Sequence, residues 1–464
     1  MAKGKFQIDM SKGSIFKNIV FFAFPLMLTS LLQLFYNAAD LVIVSRFAGS
    51  NAMASVGATS SVTNLLINLF IGLSMGAGVI VSRKFGAQDK EGIKRSVHTA
   101  MLLGITVGIL AGILGIFISE PILKLMGTPE GEVMDGAVLY MKILFIGVPA
   151  SLAYNFGASI LRAVGDTRRP LYILASAGII NVILNFVLVI FFHLDVAGVA
   201  IATAVSNYVS VIAVFYILTH TKDDIKIEIK KLKFHKHELK EILRIGLPAG
   251  VQSSFFSLSN TVIQSSVNSF GEAAIAGNAA GGNIEGFVYV AMNAFYQATL
   301  TGVSQNYGAQ DEKRINKTIW VALLCVIAVG ASLGALCVIF SRQLLGIYIT
   351  DSALALEFGV KRMYLTCLPY FLCGMMEVLT GALRGLGCSA TTAITSFIGT
   401  CGFRIFWAKF AVEYVAERVH FVDSSIDILY FCWPISWLLV SLMHLVTLII
   451  IKPRAIRRMN GEFI

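Results

Sequence analysis

The sequence predicts an all-α membrane protein that crosses the bilayer many times. Of its 464 residues, 56% are hydrophobic and only 14% are charged, and the mean hydropathy is +0.76. Soluble domains carry about 25% charged residues. Apolar runs of about twenty or more residues, the length that a helix needs to cross a bilayer, recur from one end of the chain to the other. A transmembrane β-barrel would instead show short segments of alternating hydrophobicity.

Twelve apolar segments are separated by polar breaks, and each is predicted to form one transmembrane helix. They cover 15–45, 53–82, 96–119, 133–161, 170–193, 196–219, 241–268, 274–304, 317–341, 355–383, 391–414 and 426–451. The first run continues far beyond the short apolar core of a signal peptide, so we interpret it as a retained helix. Proline lies inside five segments and predicts kinks there. The prolines concerned are Pro25, Pro149, Pro248, Pro369 and Pro434.

Basic residues gather on one predicted side of the membrane. The two termini and the loops after even-numbered segments hold 28 of the 37 Lys and Arg residues. The opposite loops hold only Arg46, Lys124, Arg342 and Arg418. By the positive-inside rule, both termini are predicted to be cytoplasmic, in the plasma or inner membrane of a bacterium. This topology explains the net charge of +10, so no nucleic acid partner is expected.

The two halves of the chain resemble each other. Residues 81–89, VSRKFGAQD, match 303–311, VSQNYGAQD, and residues 161–165, LRAVG, match 383–387, LRGLG, both at an offset of 222 residues. Each half holds six segments, so the repeats share one orientation, as in transporters that work by alternating access. The predicted division is an N-terminal lobe over 1–220, a cytoplasmic basic linker over 221–240 and a C-terminal lobe over 241–464.

The duplicated motifs V-S-x-x-[FY]-G-A-Q-D and L-R-[AG]-x-G, on twelve predicted spans, resemble those of the multidrug and toxic compound extrusion (MATE) family. The resemblance implies two pseudo-symmetric six-helix bundles arranged as a V. It also implies antiport, in which inward movement of Na⁺ or H⁺ drives export of organic, cationic and lipophilic drugs or toxic compounds. The partners expected are the lipid bilayer and the organic cation, with no cofactor and no ATP, and the protein is expected to work as a monomer.

Asp40 is the first candidate site residue, because a carboxylate inside an apolar segment is costly and marks an ion or substrate pathway. The alternative is an acid at a helix end, in contact with water. Within the resemblance, Asp40 matches the helix 1 acid of the family's cation site. The other positions implied are Asn181 and Asn185 on helix 5, Thr203 on helix 6, and Tyr140 and Asn155 on helix 4. Some relatives carry a second acid where this chain has Asn185.

Asp40, Asn185 and Thr203 lie six to eight residues from the outer ends of their segments, a shared depth of roughly 9–12 Å. Carboxylate, amide and hydroxyl oxygens suit a hard cation such as Na⁺, and Asp40 alone could take H⁺. The alternative is hydrogen bonding between helices, worth about 0.6 kcal/mol per bond. The second half has Val262, Phe403 and Trp407 at the positions matching Asp40, Asn181 and Asn185. Only the first lobe is therefore predicted to carry the site.

Further polar groups inside the segments are candidates for the substrate cavity, with helix packing as the alternative. They are Gln33, Tyr36, Asn37, Ser257, Asn260, Gln264, Glu285 and Glu377. If Arg404 forms an ion pair with Glu285 or Glu377, that acid would hold helices together instead of binding substrate. Arg384 is expected to contact lipid phosphates or to cap a helix. Pro25 is the predicted conformational hinge.

Two other functions are alternatives to antiport. A lipid-linked oligosaccharide flippase of the same superfamily would need a strongly basic cavity for pyrophosphate, whereas the first-lobe site is acidic. An integral-membrane enzyme would need clustered catalytic groups, but the seven histidines are scattered. The seven cysteines form no CxxC pair and are interpreted as small buried hydrophobic side chains. We therefore predict no enzyme activity.

Overall fold

The computed structural model describes residues 6–350, 352–411 and 425–460, and all regular structure in these ranges is helical. The first half contains α1 (Ile15–Ile43), α2 (Gly49–Gly86), α3 (Lys90–Leu125), α4 (Glu132–Ala163), α5 (Arg168–Phe186) and α6 (Asp195–His220). The second half begins with α7 (Lys236–Asn268), α8 (Glu272–Gly308), α9 (Glu312–Ile339) and the short α10 (Ser341–Gly346). It continues with α11 (Ala353–Cys367), α12 (Tyr370–Gly385), α13 (Ser389–Ser396), α14 (Phe403–Phe406), α15 (Ser425–Tyr430) and α16 (Cys432–Met459).

The twelve predicted segments correspond to these helices. Eight helices among the described residues are long and apolar enough to cross a membrane, and α11 with α12 makes a ninth crossing if the bent pair is one span. Helices α7 and α8 fall outside this set because Ser, Asn, Gln and Gly dilute their apolar residues. The segment at 391–414 is divided into α13, α14 and π-helical turns, and its last three residues lie outside the described ranges, as does Arg418.

Proline does not break most of the spans. Pro25, Pro149 and Pro248 lie inside helices that continue through them, and Pro434 is the third residue of α16. Pro369 separates α11 from α12, which meet at a bend of 45°. The missing amide hydrogen of proline explains why a long apolar segment is interrupted there.

Large apolar side chains remain exposed along the outside of the helices. On α3, Leu110, Ile113, Leu114 and Phe117 are exposed and follow the spacing of one helical face. A continuous apolar face without a protein partner is explained by contact with lipid. The predicted membrane location therefore has a structural basis in the surface of the helices as well as in their length.

The chain forms two compact units. The first unit comprises Leu28–Gly250 with the segment that ends at Asp9, and the second comprises Met10–Met27 with the residues from Val251 onward. The chain passes from one unit to the other after Met27 in α1 and after Gly250 in α7, which is two residues after Pro25 and Pro248, respectively. Each of these two helices therefore belongs to both units.

The sequence repeat is also a repeat of backbone conformation. Gln88 and Gln310 both adopt left-handed φ values, 56° and 57°, and Gly165 and Gly387 both have a φ of 86°. Asp89 caps α3 by accepting a hydrogen bond from the Gly92 amide, and Asp311 caps α9 in the same way through Arg314. The Gly92 amide lowers the pKa of the Asp89 carboxyl. The matched motifs therefore form turns between helices that have the same backbone conformation in both halves, and in one pair the same aspartate cap.

Within the first unit, α4 packs on α2, α3 and α6, while α5 packs on α6. The approach of α4 to α6 is close at Gly147, where a Cβ atom would lie 3.1 Å from the Ala204 Cα. Small residues allow such approaches between membrane helices. This packing holds the Thr203 region of α6 between α4 and α5.

Candidate functional site

Asp40 lies inside a helical segment rather than at its end. Helix α1 ends at Ile43, but the chain continues directly as a π-helical turn, Val44–Ala48. The Asp40 side chain is half-buried, and its Oδ1 accepts a hydrogen bond from the Asn185 amide on α5. The carboxylate therefore points to a neighbouring helix instead of lying at a free helix end.

A chain of polar side chains leads away from Asp40. The Asn185 amide also donates to Asn181 Oδ1 at 3.2 Å. Asn181 Nδ2 in turn lies 3.5 Å from Thr203 Oγ1 and 3.3 Å from Ser206 Oγ. The structure thus brings together four of the six predicted cation-site residues, Asp40, Asn181, Asn185 and Thr203, on α1, α5 and α6.

The oxygen of the Asn185 amide is unusual in this network. Asn185 is 0% exposed, and its Oδ1 has no hydrogen-bond partner among the described residues. A buried polar atom without a partner typically costs about 1–3 kcal/mol. A cation bound at this oxygen would supply the missing partner, and a carboxylate with amide and hydroxyl oxygens close by is a ligand set that fits a hard cation such as Na⁺.

Asp40 lies in the walls of two pockets within the first unit. The larger has a volume of about 400 Å³ and is enclosed by α1, α2, α4 and α6. The smaller, of about 130 Å³, lies between α1, α5 and α6. Asn37, Asp40, Thr203 and Asn207 line both pockets. The acid is therefore accessible to two differently shaped spaces.

The two predicted positions on α4 lie in the larger pocket, apart from the amide network. Tyr140 packs against an apolar cluster that includes Val44 and Val199, and Asn155 donates to the Ser151 carbonyl of its own helix at 2.9 Å. Both line the same cavity as Asp40. Their polar atoms thus face a space that a ligand could share with the carboxylate.

Of the predicted cavity residues on α1, Gln33 and Tyr36 line the smaller pocket and Asn37 lines both. The Tyr36 hydroxyl donates to the Ala175 carbonyl at 3.1 Å. Its ring covers Gly178, where a Cβ atom would overlap the ring carbons. Tyr36 therefore holds α1 against α5 one helical turn from Asp40.

Several lining residues were missed in the sequence. They are Thr59, Thr63 and Asn64 on α2, and Ser206 and Asn207 on α6. Ser206 and Asn207 follow Thr203 by three and four residues, and Thr63 follows Thr59 by four. This helical spacing of polar residues inside apolar segments is the signal that could have identified them.

In the second unit, Glu285 is an ion-pair residue. Arg362 Nε and Nη2 each lie 2.8 Å from its carboxylate, and the Thr366 hydroxyl also donates to it. Arg362 further donates to Asn278 and lies 4.7 Å from the centre of the Trp433 ring. The partner of Glu285 is thus Arg362 rather than Arg404, and both of its oxygens are engaged.

Arg404 is completely buried and pairs with neither acid. Its guanidinium donates to Asn260 Oδ1 at 2.8 Å and to Ser436 Oγ at 3.0 Å. Glu377 accepts from the Tyr289 hydroxyl at 3.5 Å. Arg404 therefore does not form the pair that would have given Glu285 or Glu377 a structural role, because neutral oxygens of α7 and α16 are its partners.

The expected contact of Arg384 with lipid phosphates is wrong. Arg384 is buried and donates to the Tyr296 hydroxyl and, at 2.8 Å, to Gln252 Oε1. A guanidinium satisfied by buried side chains is not free to reach a headgroup.

The polar face of α7 is engaged in bonds within the second unit. Gln264 accepts from Asn278 at 2.7 Å and donates to Asn268 at 2.9 Å. The Ser257 hydroxyl donates to the Ser253 carbonyl of its own helix. The bonds from Asn278 to Gln264 and from Arg404 to Asn260 join α7 to other helices, as in the helix-packing alternative. The bonds of Ser257 to Ser253 and of Gln264 to Asn268 lie within α7.

Comparison with known proteins decides the family. The MatE family model matches residues 25–187 and 248–408, most of both halves. The chain belongs to the MatE family. The probable multidrug resistance protein YoeA of Bacillus subtilis (strain 168) is 27% identical over 402 residues, covering 85% of this chain and 86% of YoeA. The multidrug export protein MepA of Staphylococcus saprophyticus is 23% identical, covering 81% and 83% of the two chains.

Solved structures of MATE transporters share the fold. The outward-facing conformation of a multidrug resistance MATE family transporter of the MOP superfamily matches with a TM-score of 0.88 at 21% identity, covering 99% and 100% of the two chains. A MOP superfamily transporter from Pyrococcus furiosus matches with a TM-score of 0.89 at 21% identity, covering 98% and 99%. The predicted family and the all-α, two-bundle fold class are confirmed. The protein is a multi-pass membrane protein of a transporter family, whose members are not enzymes.

Proposed function

We propose that this MATE protein is an antiporter that exports organic cations in exchange for Na⁺ or H⁺, with Asp40 as the coupling acid. One observation carries the proposal. A half-buried carboxylate, Asp40, lines two pockets and accepts a hydrogen bond from Asn185, whose buried amide oxygen has no partner among the described residues. Acids inside membrane segments are costly and are associated with ion pathways.

The ligand set supports either ion. For Na⁺, the carboxylate of Asp40, the amide oxygens of Asn181 and Asn185, and the hydroxyl of Thr203 supply oxygen ligands of the type that hard cations prefer. For H⁺, Asp40 accepts the proton and the Asn185 amide orients the carboxyl. In both cases the charge of Asp40 is neutralised when the cation is loaded.

The larger pocket suits the organic substrate. Its volume of about 400 Å³ lies within the usual range for drug-sized ligands. Most of its wall is apolar, with Phe70, Leu144 and Phe145 among the lining residues. A lipophilic cation would bury its apolar body against this wall and place its charge near Asp40. Cation and drug would then compete for the same carboxylate.

Competition becomes transport if the two states of the protein differ in affinity for the two ligands. We propose that the loaded cation favours a rearranged α1, with Pro25 as the hinge, and that this weakens drug binding. Pro25 lies two residues before Met27, at which α1 passes from the second unit to the first. Both termini are proposed to be cytoplasmic, in the plasma membrane, and the monomer is proposed to be the transporting species.

The flippase alternative fits less well. A cavity for pyrophosphate needs basic side chains, but the residues that line the two pockets around Asp40 include no Lys or Arg. The charge at the site is that of a carboxylate, which attracts cations.

The proposal is tested with purified protein in proteoliposomes. Export of a fluorescent organic cation such as ethidium is measured with a Na⁺ gradient and with a pH gradient, each imposed separately. One gradient or both is expected to drive export, and Asp40→Asn is expected to abolish the driven component. Asp135→Asn, at an exposed position in the first turn of α4, is the control and should transport normally. Full driven export by Asp40→Asn would overturn the assignment.

A further inference from the structure

We propose that the smaller pocket is a separate passage for the coupling cation, leading from Asp40 between α1, α5 and α6, while the organic substrate uses the larger pocket. This inference rests on the proposed function and adds a route for the ion. The passage would run toward the half of the membrane that holds Gln33 and Ser210, which is cytoplasmic in the predicted topology. The ligand is a small monovalent cation that moves with water, either Na⁺ or a proton.

Two polar stripes face each other across this pocket. On α6, Thr203, Ser206, Asn207 and Ser210 recur at intervals of three and four residues, which places them on one helical face. On α1, the facing stripe consists of Gln33, Tyr36, Asn37 and Asp40. All eight residues line the smaller pocket. Seven residues of helix span about 10 Å, so the stripes continue well away from the carboxylate.

The serine oxygens of the passage are oriented for a cation. The Ser210 hydroxyl donates to the Ser206 carbonyl at 2.9 Å, and the Ser206 hydroxyl donates to the Thr203 carbonyl at 3.2 Å. Because their protons are directed at the backbone, each serine oxygen keeps a lone pair for a cation or water, although Ser206 Oγ also accepts a hydrogen bond from Asn181 Nδ2. The volume of about 130 Å³ has room for several water molecules. A partly hydrated cation would therefore find oxygen partners along the pocket.

An apolar layer closes the opposite direction. Val44, Val189 and Val199 lie one helical turn beyond Asp40, Asn185 and Thr203, respectively. All three are at most 2% exposed and belong to one packed cluster. A dry apolar constriction is a barrier to ions, because it offers no substitute for their water. Val44 and Val199 also line the larger pocket, so that pocket is apolar on this side, and the smaller pocket offers the cation a route lined with oxygen atoms.

The composition of the walls separates the two pockets. Helix α5 contributes Leu174, Ala177, Gly178 and Asn181 to the smaller pocket, and no α5 residue is among those that line the larger one. Helices α2 and α4 line only the larger pocket. An organic cation against α2 and α4 thus leaves the space along α5 open to the ion.

Cysteine accessibility tests this route in the full-length protein in membrane vesicles. Ser210→Cys reports on the smaller pocket, Ser60→Cys on the larger and Val189→Cys on the apolar layer. The probe is a small cationic methanethiosulfonate, applied from either side, with the modified residue identified by mass spectrometry. The seven native cysteines all lie at 325 or beyond, so they give separate peptides. We expect labelling of Ser210→Cys and Ser60→Cys but not of Val189→Cys.

Protection by tetraphenylphosphonium, a bulky lipophilic cation, separates the two routes. It should slow labelling of Ser60→Cys at least fivefold and that of Ser210→Cys less than twofold. Two results would contradict the proposed passage. One is labelling of Ser60→Cys without labelling of Ser210→Cys, and the other is equal protection of both cysteines by tetraphenylphosphonium. The labelling experiment does not depend on transport. The passage can therefore be disproved while Asp40 still couples efflux, and it can be supported even if Asp40 proves not to be the coupling acid.

A second variant tests conduction itself. Ser210→Leu should reduce the rate of cation-driven exchange at least tenfold, under a Na⁺ or a pH gradient as appropriate, with unchanged equilibrium binding of ethidium. Ser176→Leu, at an exposed position of α5 that lines neither pocket, is the control and should retain the full rate. Normal exchange by Ser210→Leu would contradict the route.

Discussion

The Asn185 side chain donates its amide hydrogen to Asp40 and leaves its own buried oxygen without a partner among the described residues. The acid of α1 is thus bonded to a neutral residue of α5, not to a cation. A neutral neighbour leaves the negative charge of Asp40 available for an exchangeable ligand. A cation that binds and dissociates reversibly would complete the hydrogen-bonding and charge requirements of this site.

Replacement of Asn185 by aspartate should increase the affinity for the coupling cation. Two adjacent carboxylates repel each other, and a cation between them relieves that repulsion. For Asn185→Asp, the cation concentration that gives half-maximal drug export should fall, by about tenfold for a gain of 1.4 kcal/mol. Asn185→Ala should raise the same concentration. Dose–response curves in proteoliposomes measure both, and an unchanged midpoint in both variants would contradict the role of Asn185.

The hydroxyl of Thr203 should matter for Na⁺ but not for H⁺. Thr203→Val keeps the shape of the side chain and removes one oxygen ligand, whereas Thr203→Ser keeps the oxygen. If Na⁺ is the coupling ion, we expect Thr203→Val to raise the half-saturating Na⁺ concentration about tenfold and Thr203→Ser to have little effect. Equal behaviour of the two variants under a Na⁺ gradient would remove Thr203 from the ligand set.

Loss of one partner from the ion pair of Glu285 and Arg362 should destabilise the second unit. A buried charge left alone typically costs about 3–5 kcal/mol, so Glu285→Gln should unfold at a clearly lower temperature in detergent. The double variant Glu285→Leu with Arg362→Met should recover much of the loss. Glu377→Gln is the control, because among the described residues Glu377 accepts a single hydrogen bond, of 3.5 Å, from Tyr289. A Glu285→Gln protein of normal stability with altered drug affinity would instead favour a substrate role.

A methyl group at Gly178 should disturb the contact between α1 and α5. A Cβ atom there would overlap the Tyr36 ring, so Gly178→Ala should destabilise the protein by about 1–3 kcal/mol and slow drug export. Gly57→Ala, on α2 with no atom within 4 Å of its Cβ position, is the matched control and should be neutral or stabilising. Addition of Tyr36→Leu to Gly178→Ala should relieve the clash. Thermal unfolding and export rates of the four proteins give the comparison.

The repeated aspartate caps should contribute equally to both halves. Asp89→Ala and Asp311→Ala should each lower the free energy of unfolding by about 1 kcal/mol, and replacement by Ser should cost less. The Gly92 amide lowers the folded-state pKa of Asp89, so the contribution is present above the unfolded pKa of about 4 and is lost as the pH falls through the lower folded value. The unfolding curves of wild type and Asp89→Ala should therefore differ at neutral pH and converge in acid. A difference that grew in acid would contradict this assignment.

The fold was accessible from the sequence because its main signals are local. Hydrophobic length locates most spans, and the Asp89 and Asp311 turns repeat the same capping chemistry in both halves. The break at Pro369 was also predictable, since it follows from the geometry of one residue. The continuation of α1 through Pro25 was not, because packing against neighbouring helices can stabilise a helix that contains proline.

The cost of an acid inside an apolar segment identified Asp40. The resemblance to the MATE family implied Asn181, Asn185 and Thr203 as its partners, and their similar depth in the predicted helices supported the set. Contacts between helices could not be identified in this way. That Glu285 bonds to Arg362, while Arg404 bonds to Asn260, depends on which faces meet after the helices pack. The sequence alone determined a MATE-like, multi-helix membrane protein with an acid in its first half. Only the tertiary structure decided that this acid contacts Asn185 between two pockets, because long-range side-chain partners are set by packing and not by spacing along the chain.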